Sequence, residues 1–170
     1  MVGLVRRSSA TVGSAVFFVA GPGTVTVLVP WLLTGFRWQE PVAHWWLARV
    51  LGGALILAGA AVLVHAFSRF VREGRGTPVP VAAPDHLVVG GLYRHVRNPM
   101  YVALFAVLIG EPLLLGGLWA LLYPLVLWCF VAPYVRWREE PALVRRFGAD
   151  YECYRSAVPA WIPRLRPRHQ

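Results

Sequence analysis

The residues of this chain with chemistry to offer stand in two clusters. The run Leu87-Val88-Val89-Gly90-Gly91-Leu92-Tyr93-Arg94-His95-Val96-Arg97-Asn98-Pro99-Met100-Tyr101 is polar and glycine-punctuated, yet it lies between long apolar stretches. Arg136-Trp137-Arg138-Glu139-Glu140 follows the last of those stretches. In the first cluster Asn98 is a favourable N-cap. Pro99 suits the first turn of a helix, because its ring fixes φ and its missing N–H would have no partner there. The free N–H groups and positive dipole end of that helix, with Arg94 and Arg97, make a seat for a carboxylate or phosphate. Gly90-Gly91 lets the backbone approach a ligand closely. In the second cluster, consecutive helical residues point about 100° apart, so one of Glu139 and Glu140 is expected to face a pocket while the other pairs with an arginine. An inward carboxylate can accept hydroxyl hydrogen bonds, as from a ribose, or sit beside a cationic centre. The plainer reading is that these charges mark the end of a membrane span.

No nucleophile–base pair, metal-ligand spacing, phosphate-binding glycine loop or dinucleotide fingerprint accompanies the clusters. No catalytic side chain and no metal is therefore assigned, and the chemistry is expected to reside in a bound cofactor.

The elements that must bring the clusters together are apolar helices. Of 170 residues 57% are hydrophobic and 15% charged, with a mean hydropathy of +0.53, which leaves too little polar surface for a soluble globule. The net charge of +9 comes from 17 basic residues, all arginine. Set between apolar spans, they fit anionic headgroups and topology rather than nucleic acid. Cys129 and Cys153 form no disulfide framework or metal-ligand pattern.

Four spans are expected: Thr11 to Thr34, Trp45 to Phe67, Pro99 to Leu115 and Leu118 to Val135. The first follows Arg6 and Arg7 and reads as a retained anchor rather than a cleaved signal, with a bend or loosened turn at Gly21-Pro22-Gly23. Trp45 and Trp46 anchor the second at an interface, with Arg49 snorkelling outward. Its small patch Gly52-Gly53-Ala54 could pack helices within one chain or between two. The third and fourth, joined by Gly116-Gly117, are expected to form an antiparallel hairpin, with Glu111 at the far interface. The arginine asymmetry puts both termini, the Ser68–Asn98 loop and both polar clusters on the cytoplasmic face. From Pro141 the tail places Leu143, Val144, Phe147, Tyr151, Tyr154 and Val158 at helical spacing, which predicts one amphipathic helix along that interface, with Trp161 at the same depth. The expected fold is thus all-α: an integral membrane, multi-pass four-helix bundle forming one domain over residues 1–170. It carries a cytosolic connector and an amphipathic C-terminal helix.

In this setting the series Leu87-Val88, Gly91, Tyr93-Arg94, Arg97-Asn98-Pro99-Met100-Tyr101, Glu139-Glu140, Leu143, Phe147-Gly148, Tyr151, Tyr154, Val158-Pro159 and Ile162-Pro163 resembles the isoprenylcysteine carboxyl methyltransferase and phospholipid methyltransferase superfamily. The resemblance implies a membrane methyltransferase binding S-adenosyl-L-methionine at the cytosolic interface within residues 85–165. By similarity, Asp85, His86, Leu87, Val88, Tyr93, Arg97, Asn98, Pro99, Met100 and Tyr101 line the cofactor pocket, with Glu139 and Glu140 completing it. Arg136 or Arg138 stands nearest an anionic substrate group. Two positions depart from the family's pattern: Asn98, where many members have His, and Ala103, where many have Gly. The implied reaction is in-line displacement at the sulfonium methyl by a lipophilic acceptor, an isoprenylcysteine carboxylate or another lipid or thiol. The hydropathy and the short Gly116-Gly117 connection predict that such an acceptor enters laterally from the bilayer. The absence of an evident base favours an acidic acceptor over an amine. The alternative is a non-catalytic accessory protein or small-molecule carrier that keeps the bundle.

Overall fold

The structure, a computed structural model, describes residues 21–73 and 87–164. The start of the expected first span, and Asp85 and His86 of the expected pocket, lie outside the described residues. Every regular element among the described residues is helical. Helix α1 is Gly21–Thr34, α2 is Trp46–Glu73 and α3 is Pro99–Leu115. A 3₁₀ turn, Leu118–Leu121, leads into α4, Leu122–Tyr134. A π-helical turn, Val135–Glu139, joins α4 to α5, Glu140–Phe147, and α6 is Ala149–Ala157. Among the described residues, two helices, α2 over Trp46–Ala66 and the continuous rod Leu118–Phe147, are long and apolar enough to cross a membrane, and the described parts of α1 and α3 are shorter. Their apolar side chains face outward: Leu57, Leu122, Leu125 and Phe130 are all exposed, as lipid contact would require.

Packing centres on an antiparallel seam between α2 and α3. A Cβ built on Gly52 would stand 2.6 Å from the Gly110 carbonyl oxygen, and one on Gly59 would stand 2.7 Å from the Ala103 oxygen. Each pair is seven residues from the next on its own helix, so small residues recur on one face and the two backbones touch. Gly52 therefore packs within the chain, while nothing lies within 4 Å of a Cβ on Gly53. The closeness that a glycine at position 103 would permit is supplied from across the seam by Gly59.

Three expectations need correcting. The chain does reverse at Gly116-Gly117, where Gly116 has φ +85°, but the tight hairpin partner of α3 is α2 rather than α4. The bulky Trp128 and Phe105 rings stand between α4 and α3, their centroids 5.3 Å apart, and α4 also reaches α1 through the Tyr123 hydroxyl, which donates to the Val25 carbonyl at 3.1 Å. Second, the helix does not stop at Val135. The π turn absorbs the missing N–H of Pro141 and carries the rod on to Phe147. Third, the tail is two helices, broken at Gly148 with φ +54°, a conformation that favours glycine. Near the chain's start, the expected loosening at Gly21-Pro22-Gly23 takes the form of a π turn at Thr24–Leu28, with the Thr26 hydroxyl bonded to the Pro22 carbonyl at 2.8 Å.

Candidate functional site

At the N-terminal end of α3 four segments converge: the run Leu87–Asn98, the π turn, α6 and a tail strap of residues 158–164. Apolar burial assembles them. Tyr151, Tyr154 and Val158 form a buried cluster with Leu87, Val89, Leu143, Val144 and Phe147 packed against it, and Tyr154 donates to the Tyr93 carbonyl at 2.7 Å. Leu87, Val89 and Tyr93 thus hold the connector onto the tail helices, and Val88 and Tyr93 are buried.

The strap is hydrogen-bonded along the approach to α3. Arg97 N–H donates to the Pro159 carbonyl at 2.9 Å, Asn98 N–H to Ala160 at 3.3 Å and Arg164 N–H to His95 at 2.9 Å, while His95 Nδ1 lies 2.7 Å from the Arg164 carbonyl. Asn98 departs from its expected capping role. Its side chain makes no cap hydrogen bond; its Nδ2 instead donates to the Ala160 carbonyl at 3.1 Å. The strap's carbonyl competes successfully for the amide, and α3 starts at Pro99, as expected, without a side-chain cap.

The neighbouring glutamates divide as their angular offset requires. Glu140 is buried and bound to two arginines: Arg97 Nη1 at 2.7 Å and Arg155 Nε at 3.4 Å. Arg97 also donates to the Tyr151 hydroxyl at 3.3 Å. Burial, with the Glu140 charge adding to it, raises the Tyr151 phenol above its ordinary value, so it stays neutral at pH 7. The Arg97 guanidinium is therefore engaged inside the protein by Glu140. Glu139, half-buried, faces elsewhere: its partner among the described residues is the Tyr101 hydroxyl, which donates to Oε2 at 3.3 Å.

Aromatic rings extend from this pair. Trp161 lies 6.2 Å from Tyr101 and 4.5 Å from Trp128, whose ring is 5.3 Å from Phe105. Reading the sequence missed Trp128 and Phe105 and placed Trp161 as a simple interfacial anchor. A lone Trp in a Pro- and Arg-rich tail was the available signal. Pro99 is fully buried beneath the site, Met100 is half-buried, and Arg136 and Arg138 are exposed on the π turn. At the opposite end of α3 a small cavity is lined by Thr34, Arg37, Gln39 and Glu111, away from Glu139 and Glu140.

Residues 47–150 match the model of the family described as phospholipid methyltransferase. The chain belongs to that family. Among curated relatives, the protein-S-isoprenylcysteine O-methyltransferase of Schizosaccharomyces pombe is 46% identical over 81 residues, which cover 46% of this chain and 34% of that protein. The protein of the same name from Saccharomyces cerevisiae is 32% identical over 126 residues, covering 69% of this chain and 49% of its own. That from Homo sapiens is 28% identical over 148 residues, covering 84% and 51%. The chain spans about half or less of the length of these relatives. No solved structure matches it.

Proposed function

We propose that this phospholipid methyltransferase family member is an integral membrane methyltransferase that uses S-adenosyl-L-methionine and acts on a lipophilic, lipidated acceptor of the isoprenylcysteine-carboxylate kind. The observation that carries the reading is the 3.3 Å approach of Tyr101 to Glu139 across 38 positions of sequence, at the end of α3 where the matching motif lies. The donor fits the residues present. Glu139 is a half-buried carboxylate paired with a neutral hydroxyl, beside aromatic rings, whereas both oxygens of Glu140 are matched by arginines.

When bound, the donor would supply a methyl group activated on a positively charged sulfur, available to the acceptor's lone pair with the C–S electron pair retained by sulfur. The protein's part is to align and to exclude water, effects worth several kcal/mol. Met100, Tyr101 and Glu139 line the donor seat. Arg97, Pro99 and Glu140 hold that seat in shape from beneath. Leu87, Val88 and Tyr93 close its connector side. Arg136 or Arg138, exposed at the rim, meets an anionic group on the acceptor.

Four spans with the site and both termini on the cytoplasmic face complete the reading, supported by the outward-facing apolar surfaces of α2 and the rod and by the arginines at the site's end. The sparse, ring-bridged packing of α4 against α3 supports a route for a lipophilic acceptor from the bilayer between these two helices.

The test is transfer of labelled methyl from S-adenosyl-L-methionine to a prenylated cysteine derivative by the purified protein in nanodiscs. Glu139→Gln is expected to lower kcat/KM about a hundredfold, the scale of a lost positioning contact. No transfer to any lipidic acceptor, despite donor binding, would favour the accessory-protein reading instead.

A further inference from the structure

The side chain of Tyr101 touches two different kinds of group. Its hydroxyl reaches the Glu139 carboxylate at 3.3 Å, and its ring stands 6.2 Å from Trp161, tilted by 53°. Trp161 in turn is edge-on to Trp128 at 4.5 Å. A carboxylate at the end of a row of aromatic rings suits a soft, poorly hydrated cation, because the fixed negative charge and the ring quadrupoles both favour positive charge. Arginine or lysine as the intended occupant is disfavoured: among the described residues none is paired with Glu139, although the neighbouring Glu140 holds two.

Trp161 does not belong to a helix. It stands on the strap, whose position is set by hydrogen bonds from Arg97, Asn98 and Arg164. The carbonyl immediately before Trp161, that of Ala160, receives two of these, from the backbone N–H and the side-chain amide of Asn98. The amide at position 98 is thus committed to the strap.

We infer that Tyr101, Trp161 and the Glu139 carboxylate form a box that reads the positive charge of the methyl donor's sulfonium, and that Asn98 is a positioning residue that keeps the box closed through Ala160. The inference rests on the methyltransferase reading and deepens it. Such a box distinguishes the charged donor from the neutral thioether left after transfer, so it grips the substrate and releases the product. Asn98 then acts through Trp161 rather than by touching the ligand.

Calorimetry of the full-length protein in nanodiscs, with S-adenosylmethionine and with S-adenosylhomocysteine, tests this without any turnover. Trp161→Leu is expected to weaken S-adenosylmethionine about tenfold while changing S-adenosylhomocysteine less than about twofold, and Trp161→Phe to restore most of the difference. Asn98→Ala is expected to give a smaller selective loss, about threefold. It should also diminish the circular-dichroism couplet of the closely spaced Trp128 and Trp161 indoles, with Trp161→Phe marking complete loss of that signal. Equal weakening of both ligands in Trp161→Leu, or a couplet untouched by Asn98→Ala, overturns the box while leaving the methyltransferase reading intact. Failure of the wild-type protein to bind either ligand overturns that reading, and the box with it.

Discussion

The two seams that flank α3 are built on opposite plans. Against α2 it presents Gly110 and Ala103 to Gly52 and Gly59, and the backbones meet with no room for a single added carbon. Against the rod Leu118–Phe147 it presents rings, as in the Phe105 and Trp128 contact at 5.3 Å, and the seam is fastened at its polar end by Arg97, Glu140 and Arg155. Lipid tails are as apolar as leucine, so burial alone cannot drive helices together in a bilayer. The first seam is held by close van der Waals contact along its length, the second by an ionic latch at one end. On the function proposed above, a bundle stiff on one side and latched on the other would admit a lipophilic acceptor between α3 and α4 while the latched end stays fixed.

Breaking the latch is expected to have the largest effect. Glu140→Ala leaves Arg97 without its close partner in a largely buried place and should destabilise the protein by about 3 kcal/mol or more. Thermal or denaturant unfolding in detergent would show it. Replacing the latch with apolar residues of similar size, Arg97→Met with Glu140→Met, should recover most of that loss. A double variant as unstable as Glu140→Ala would mean that the charges matter in themselves. Next comes the closed seam: Gly59→Leu must push α2 away from the Ala103 carbonyl and is expected to cost about 2 kcal/mol. Stability close to wild type would show that the helices can separate and that the two seams are less different than their geometry.

Much of this difference could be read in the sequence, and part could not. Pro99 marked the start of α3 because a proline's missing N–H is harmless at one helical position. The division of labour between Glu139 and Glu140 followed from helical pitch. The pairing of α3 with α2 was hidden because chain order suggests that helices joined by a two-residue turn are partners, whereas small residues decide which surfaces approach. Gly52 was visible as a candidate contact; its partner, Gly110, was indistinguishable from any glycine in an apolar run. Asn98 looked like a cap because its type and position fit one. Only the strap, which returns from 62 positions downstream, supplies the competing carbonyl. The continuation of the rod beyond Val135 was likewise obscured, since charged residues usually end a span and the π turn that accommodates Pro141 has no sequence signature of its own.

Within the open seam the rings are expected to contribute modestly. Trp128→Leu removes the edge contacts with Phe105 and Trp161 but leaves an apolar side chain that is already partly exposed. A loss of about 1 kcal/mol follows from the worth of such aromatic pairs. A loss comparable to that of Gly59→Leu would show that the rings, like the glycines, lock the helices together, and lateral entry would then need another route.

The smallest effect on stability, and the most specific on the open seam's use, is expected at its rim. Arg136 and Arg138 are exposed on the π turn, so replacing either with alanine should change stability by less than about 0.5 kcal/mol. Residues two apart on a helix point to roughly opposite sides, which means that both cannot face an acceptor held beside Glu139. One of the two single variants is therefore expected to raise KM for a carboxylate-bearing acceptor about tenfold, the worth of one charge-assisted hydrogen bond, while the other leaves it unchanged. Methyl transfer measured across an acceptor series gives the answer. If neither variant discriminates a carboxylate from a neutral acceptor, the rim arginines serve the lipid surface alone, and recognition of the acceptor falls to the aromatic row inside the seam.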